Sequence, residues 1–172
     1  MAEPVLVVFA GLPGTGKSTI AHEVGRMLAA PVLSVDRIEA AMHRAGVDRA
    51  QPSGLAAYVV ADALAREHAR TGLSAIIDAV NDAEEAREQW RRLGRDERVD
   101  LVFVEVVLTD ESVHRARLEG RQRDLGDFPE PSWSSVVARR AGFEGWTDAR
   151  LQLDATRPAA ENARTVVARL GR

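Results

Sequence analysis

Cysteine is absent from this chain and lysine nearly so: of 23 basic residues only Lys17 is lysine. Without a thiol there is neither a disulfide nor thiolate chemistry. The four histidines, His22, His43, His68 and His114, have no metal-ligand spacing, which speaks against a zinc centre. Long apolar runs are missing too. The one at the N-terminus is short, has no positive charge before it and runs straight into glycines, so it reads neither as a signal peptide nor as a membrane span. A soluble, cytoplasmic protein is expected. The net charge of −3 comes from interspersed arginines and acids with no basic face, so polymeric nucleic acid is not implied and a charged metabolite is the easier partner. At 172 residues, with no linker, repeat or low-complexity segment, the chain is expected to form one compact domain, as a monomer or homodimer.

What is present is concentrated in Val5 to Thr19, VLVVFAGLPGTGKST. A β-branched apolar run predicts a buried strand, and Ile20, Val24 and Leu28 mark one face of a following helix. Between them lies Gly11-x-x-x-x-Gly16-Lys17-Ser18, a phosphate-binding loop. Gly11, Gly14 and Gly16 let the backbone N–H groups converge on a pyrophosphate at the positive end of the helix. Lys17 can reach the terminal phosphates and Ser18 can ligate Mg²⁺. Pro13, Thr15 and Thr19 complete the expected nucleotide-binding set. A composition that writes arginine everywhere else has kept lysine where a compact ammonium suits phosphate. An ordinary glycine-rich turn is the bland alternative, but it does not explain the flanking strand and helix.

Strands at Val32–Val35, Leu73–Ile77, Leu101–Leu108 and Leu151–Leu153 alternate with helices, which predicts a doubly wound parallel sheet of five strands, and the order expected for it is 2-3-1-4-5. The helix after Ser53 is expected to turn Leu55, Tyr58, Val59 and Leu64 inward. Residues 112–131, rich in arginine and then in glycine and proline, read as a mobile lid.

Several groups are placed for chemistry. Asp78 ends an apolar strand, where a carboxylate can hold the Mg²⁺ of a nucleotide, although a helix cap or surface turn is the plainer reading. Ala79 follows it where nucleotide-hydrolysing motors often carry glutamate, and with one lysine in the chain the GTPase base-recognition motif is impossible; ATP is the expected nucleotide. Asp36, at the carboxyl edge of strand two, is the candidate to position or deprotonate an acceptor hydroxyl, and Asp36-x-x-Glu39 is also a good capping box. Asn81-x-x-Glu84 invites the same cap reading. Arg117 and Arg121 would lie one helical turn apart, where an anion relieves their repulsion; a solvated face with an Arg115–Glu119 pair is the alternative. Arg157 and Pro158 could line the adenine site. Glu39, His43 and Tyr58 face either the substrate or a helix pair.

With GLPGTGKST, SVD, AIIDAVN and RLEGR in place, the chain resembles the small P-loop kinases, in particular the group of zeta toxins, chloramphenicol phosphotransferase and polynucleotide kinases. The resemblance implies Asp36 acting on the acceptor hydroxyl, Lys17 on the β- and γ-phosphates, and Ser18 with Asp78 around Mg²⁺. It also implies a lid in which Arg117 stacks on adenine and Arg121 contacts phosphate. Polynucleotide kinases carry an arginine three residues after the catalytic aspartate, whereas Glu39 stands here. The expected activity is transfer of the ATP γ-phosphoryl group to a hydroxyl of a small molecule. A polynucleotide or nucleotide-sugar acceptor, or an ATP-dependent switch acting on a protein partner, are the competing readings.

Overall fold

The computed structural model describes residues 3–172. Strand β1 (Val5–Ala10) leads through the glycine loop into α1 (Lys17–Leu28), β2 (Val32–Ser34), α2 (Val35–Arg44), α3 (Ser53–Arg70), β3 (Ala75–Asp78), α4 (Glu84–Glu97) and β4 (Asp100–Val107). Helices α5 (Glu111–Gly120) and α6 (Trp133–Arg139), a 3₁₀ turn, β5 (Arg150–Asp154) and α7 (Ala159–Arg169) complete the chain. All strand pairs are parallel and the order is β2-β3-β1-β4-β5, the predicted topology.

Every residue of β1 is buried, which is why it reads as an unbroken apolar run rather than an alternation. Val5, Val7 and Phe9 pack beneath α1 and α7 against Ile20, Val24, Ala163 and Val166. Leu6, Val8 and Ala10 point to the opposite face, where α3 and α4 supply Ala57, Ala61, Trp90 and Leu93. Fully burying one such large side chain stabilises by about 1.5–3 kcal/mol, so the strand that carries the loop is held from both faces.

Helix α3 turns the other way from the prediction. Ala57, Ala61 and Ala65 face the sheet, whereas Leu55 and Val59 are 66% and 57% exposed. Small side chains let the helix approach closely, and apolar periodicity alone could not choose between two stripes of which one is alanine. Tyr58 is inward as expected, and burial pushes its hydroxyl up to about 12.

Neither predicted cap forms. Helix α2 starts at Val35 with Ser34 at its N-cap, which leaves Asp36 in the first turn with its carboxylate free of capping duty. Helix α4 starts at Glu84 after Ala83, and Asn81 stands outside it with φ 54°. Its side chain is fully buried and bridges β1 and α4: Nδ2 donates to Phe9 O at 2.7 Å, and Oδ1 accepts from Trp90 Nε1 at 2.9 Å. Its backbone N–H donates to the Tyr58 hydroxyl at 3.2 Å. Asparagine adopts the left-handed conformation more readily than most residues, and here that conformation aims its amide across the sheet.

Candidate active site

The register of the sheet sets the site. Phe9 and Ser34 both pair with Asp78, so three strands end together beside the glycine loop. Gly11, Gly14 and Gly16 all have positive φ, as a loop of converging amides needs. A Cβ at Gly11 would sit 2.6 Å from the Val106 carbonyl, so glycine is required there by space as well as by angle. Thr15 steadies the loop by donating its hydroxyl to Leu12 O at 2.9 Å.

A cleft of about 780 Å³ opens over the loop and is lined by Gly14, Gly16, Lys17, Ser18, Thr19, Asp36, Asp78, Arg117 and Arg121. The sequence had scattered these residues over more than a hundred positions. Gly11 and Thr15 lie on the back of the loop against β4 and α5, and Pro13 lines a second pocket. Arg157 and Pro158 are exposed at the start of α7, outside the cleft lining, with Arg157 paired to Glu161. The neighbouring Ala155 is the part of that segment that meets the site, since Arg117 Nη1 donates to its carbonyl at 2.9 Å.

Lys17 is buried yet takes part in no ion pair among the described residues, so its ammonium is kept for something else. Asp78 is 4% exposed, and its Oδ1 is enclosed without a hydrogen-bond partner among the described residues. A buried carboxylate oxygen without a partner is costly unless a cation visits it, and the Ser18 hydroxyl beside the cleft supplies a second oxygen. These two groups fit a magnesium ion. No cluster of three acidic or histidine groups forms a metal cage among the described residues, so such an ion would take its other ligands from phosphates and water.

The lid is built differently from its prediction. Helix α5 ends at Gly120 and Arg121 is its C-cap with an extended ψ, so the irregular backbone of the lid begins there, with Arg117 and Arg121 both on the cleft. The Arg115–Glu119 pair does form, at 2.7 Å. Arg121 Nε and Arg123 Nε each donate to one oxygen of Glu130 at 2.6 Å, and Arg123 Nη1 donates to Asp36 Oδ2 at 2.6 Å. Burial, followed by the charge of Arg123, pulls Arg121 below its ordinary value. Burial pulls Glu130 upward, but its bonds to the two arginines outweigh this and hold it below the usual carboxylate range.

Under the lid a second pocket of about 330 Å³ is lined by Pro13, Asp36, Glu39, Arg121, Arg123 and Phe128. Asp36, Arg121 and Arg123 therefore border both spaces. Glu39, which has no cap to serve, accepts from Ser53 Oγ at 2.7 Å, and His43 Nε2 lies 3.2 Å from the same hydroxyl. Sequence reasoning missed Glu130 and the role of Arg123, because nothing in a lid of irregular backbone indicates which acid its arginines reach.

No helix among the described residues is long and apolar enough to cross a membrane. No curated protein matches the chain. Solved structures are similar in fold. A protein from Chloroflexus aurantiacus described as a kinase superposes with a TM-score of 0.79 at 19% identity, covering 97% of this chain and 98% of that one. Kti12 from Chaetomium thermophilum in complex with ADP-AlF3 gives 0.72 at 18%, covering 96% and 97%. The APS kinase CysC of Mycobacterium tuberculosis in complex with AMPPNP and APS gives 0.69 at 21%, covering 100% of both chains. The AAA_33 family model, an AAA domain, matches residues 6–143, from β1 through the loop and lid to the 3₁₀ turn. The chain belongs to the AAA_33 family and has the P-loop kinase-like fold.

Proposed function

We propose that this protein is an ATP-dependent kinase that transfers the γ-phosphoryl group to a hydroxyl of a small molecule. The observation that carries the reading is the position of Asp36 on the border of two spaces, the cleft over the glycine loop and the pocket under the lid. A carboxylate there can face both a γ-phosphate and an acceptor hydroxyl.

In the proposed reaction the loop amides and Lys17 hold the β- and γ-phosphates, and Asp36 accepts a hydrogen bond from the acceptor hydroxyl. A bond forms between the acceptor oxygen and Pγ while the bond from Pγ to the β–γ bridging oxygen breaks. The hydroxyl proton passes to Asp36, and ADP leaves with the bridging oxygen. Arg117 and Arg121 face the charge that develops on the transferred group. Magnesium, held by Ser18 and Asp78, would neutralise charge on the triphosphate. Catalysis of this kind is mostly positioning and electrostatics.

Glu39 supports a small acceptor over a polynucleotide. An acid held by Ser53 in the acceptor pocket repels a chain of phosphates, which an arginine at the same place would attract. Within the small P-loop kinases, the proposed placement is nearest the group of zeta toxins, chloramphenicol phosphotransferase and polynucleotide kinases. The test is Asp36→Asn, assayed by ADP release over a panel of hydroxylated metabolites, antibiotics and nucleotides. The expected result is a rate loss of roughly a hundredfold or more with Mg·AMPPNP binding retained. Activity of the variant equal to wild type would instead favour a nucleotide-dependent switch.

A further inference from the structure

His114 takes no part in the site chemistry described above, and it is the most buried of the four histidines at 1% exposed. It sits on α5, one turn before Arg117, and its ring meets Trp133 edge-to-face with centroids 5.2 Å apart. Its Nε2 lies 2.8 Å from the carbonyl oxygen of Pro13, a residue of the glycine loop 101 positions earlier. A carbonyl can only accept, so Nε2 carries the hydrogen.

We infer that His114 is a positioning residue for nucleotide binding, which aims the Gly14 amide by gripping the Pro13 carbonyl. The inference rests on the nucleotide-binding reading of the loop. The carbonyl of Pro13 and the N–H of Gly14 belong to one trans peptide plane and point in opposite directions. Holding the oxygen on the α5 side turns the amide hydrogen away from α5 and toward the anion that the loop encloses. Glycine at 14, with φ 87°, has no side chain to limit rotation of this plane, so the orientation must be imposed from outside. Packing assists, since a Cβ at Gly14 would lie 3.1 Å from Leu118 Cβ, one turn beyond His114 on the same helix. Through α5 the donor to the loop and Arg117 share one rigid support, and Trp133 ties that support to the returning end of the lid.

The test compares His114→Phe, which keeps a flat ring against Trp133, with His114→Gln, which keeps an N–H donor. Binding of Mg·AMPPNP is measured by calorimetry and folding by thermal melts. His114→Phe should weaken binding about tenfold, the scale of one well-aligned hydrogen bond in a desolvated site, and His114→Gln should come back to within about threefold of wild type. Equal binding by His114→Phe and wild type would overturn the inference, as would a glutamine variant no better than phenylalanine. Should the phenylalanine variant not fold, nitrogen-15 shifts of His114 in the wild-type protein decide the matter: the Nε2–H tautomer agrees with the inference and the Nδ1–H tautomer overturns it. Wild-type protein that binds no Mg·AMPPNP would instead sink the nucleotide reading itself.

Discussion

Arg123 of the lid donates through Nη1 to Asp36 Oδ2 across 2.6 Å, so the carboxylate proposed to orient the acceptor is held by a residue 87 positions away. The same guanidinium donates through Nε to Glu130, which also holds Arg121. The lid is thereby pinned to α2 by charges for which a triphosphate would compete. Ion pairs this close to solvent contribute on the order of 1 kcal/mol. Arg123→Gln should therefore raise the open population of the lid about fivefold, read as faster tryptic cleavage after Arg121 in nucleotide-free protein. Addition of Mg·AMPPNP should restore protection in both forms.

Asp78 sets function against stability. Its enclosed Oδ1 has no partner among the described residues, so Asp78→Asn removes a buried charge and should leave the melting temperature equal to or above that of wild type. The same change should abolish most of the gain in AMPPNP affinity on adding magnesium, measured by calorimetry with and without EDTA. A fall in melting temperature of several degrees would show that the carboxylate serves the fold instead.

Asn81 ties β1, α3 and α4 together, and its replacement should be among the most damaging in the protein. Asn81→Ala leaves the Phe9 carbonyl and the Trp90 indole N–H buried without partners, at about 1–3 kcal/mol each, and places alanine at φ 54°. A loss of about 3 kcal/mol or more is expected from urea unfolding. Asn81→Gly removes the angular strain and should recover only about 1 kcal/mol of it.

His114 gives stability a dependence on pH. Burial, more than its bond to Pro13, decides the direction and holds the imidazole below its ordinary 6.5. The unfolded chain then binds the proton first as pH falls through that value, so stability present at neutral pH is lost on acidification. Each pH unit between the ordinary and the folded value costs up to about 1.4 kcal/mol. Urea midpoints at pH 7.5 and 5.5 should fall for wild type and fall less for His114→Phe. Carboxylates such as Glu130 and Asp110, held below their ordinary values, act in a separate and more acidic window.

The parallel topology and the glycine loop were legible in the sequence, because each rests on a local pattern; the strand order 2-3-1-4-5 was expected with the resemblance to the small P-loop kinases and not from any local run. A fully buried strand has to be apolar throughout, and a nest of amides has to be rich in glycine. Asp78 was legible as a strand-end carboxylate for the same reason, whereas Asp36 stands in the first turn of α2, because β2 stops at Ser34 rather than at Val35. The inward face of α3 was not, since alanine carries too little hydropathy to announce a core stripe beside Leu55 and Val59. The caps misled because Asp36-x-x-Glu39 and Asn81-x-x-Glu84 satisfy a four-residue rule, whereas the helix starts follow where the strands end and where Asn81 finds Phe9 and Trp90.

By itself, then, the amino-acid sequence determined a glycine loop of phosphate-binding pattern after the first strand of a parallel sheet, with one lysine at its end. Those features need only neighbours along the chain. The tertiary structure decided which distant groups meet there: Arg123 with Asp36, Glu130 with two lid arginines, Ser53 with Glu39, and His114 with the carbonyl of Pro13. Contacts across 7 to 101 positions depend on how helices pack and where irregular backbone turns, and neither is written in any local run of residues.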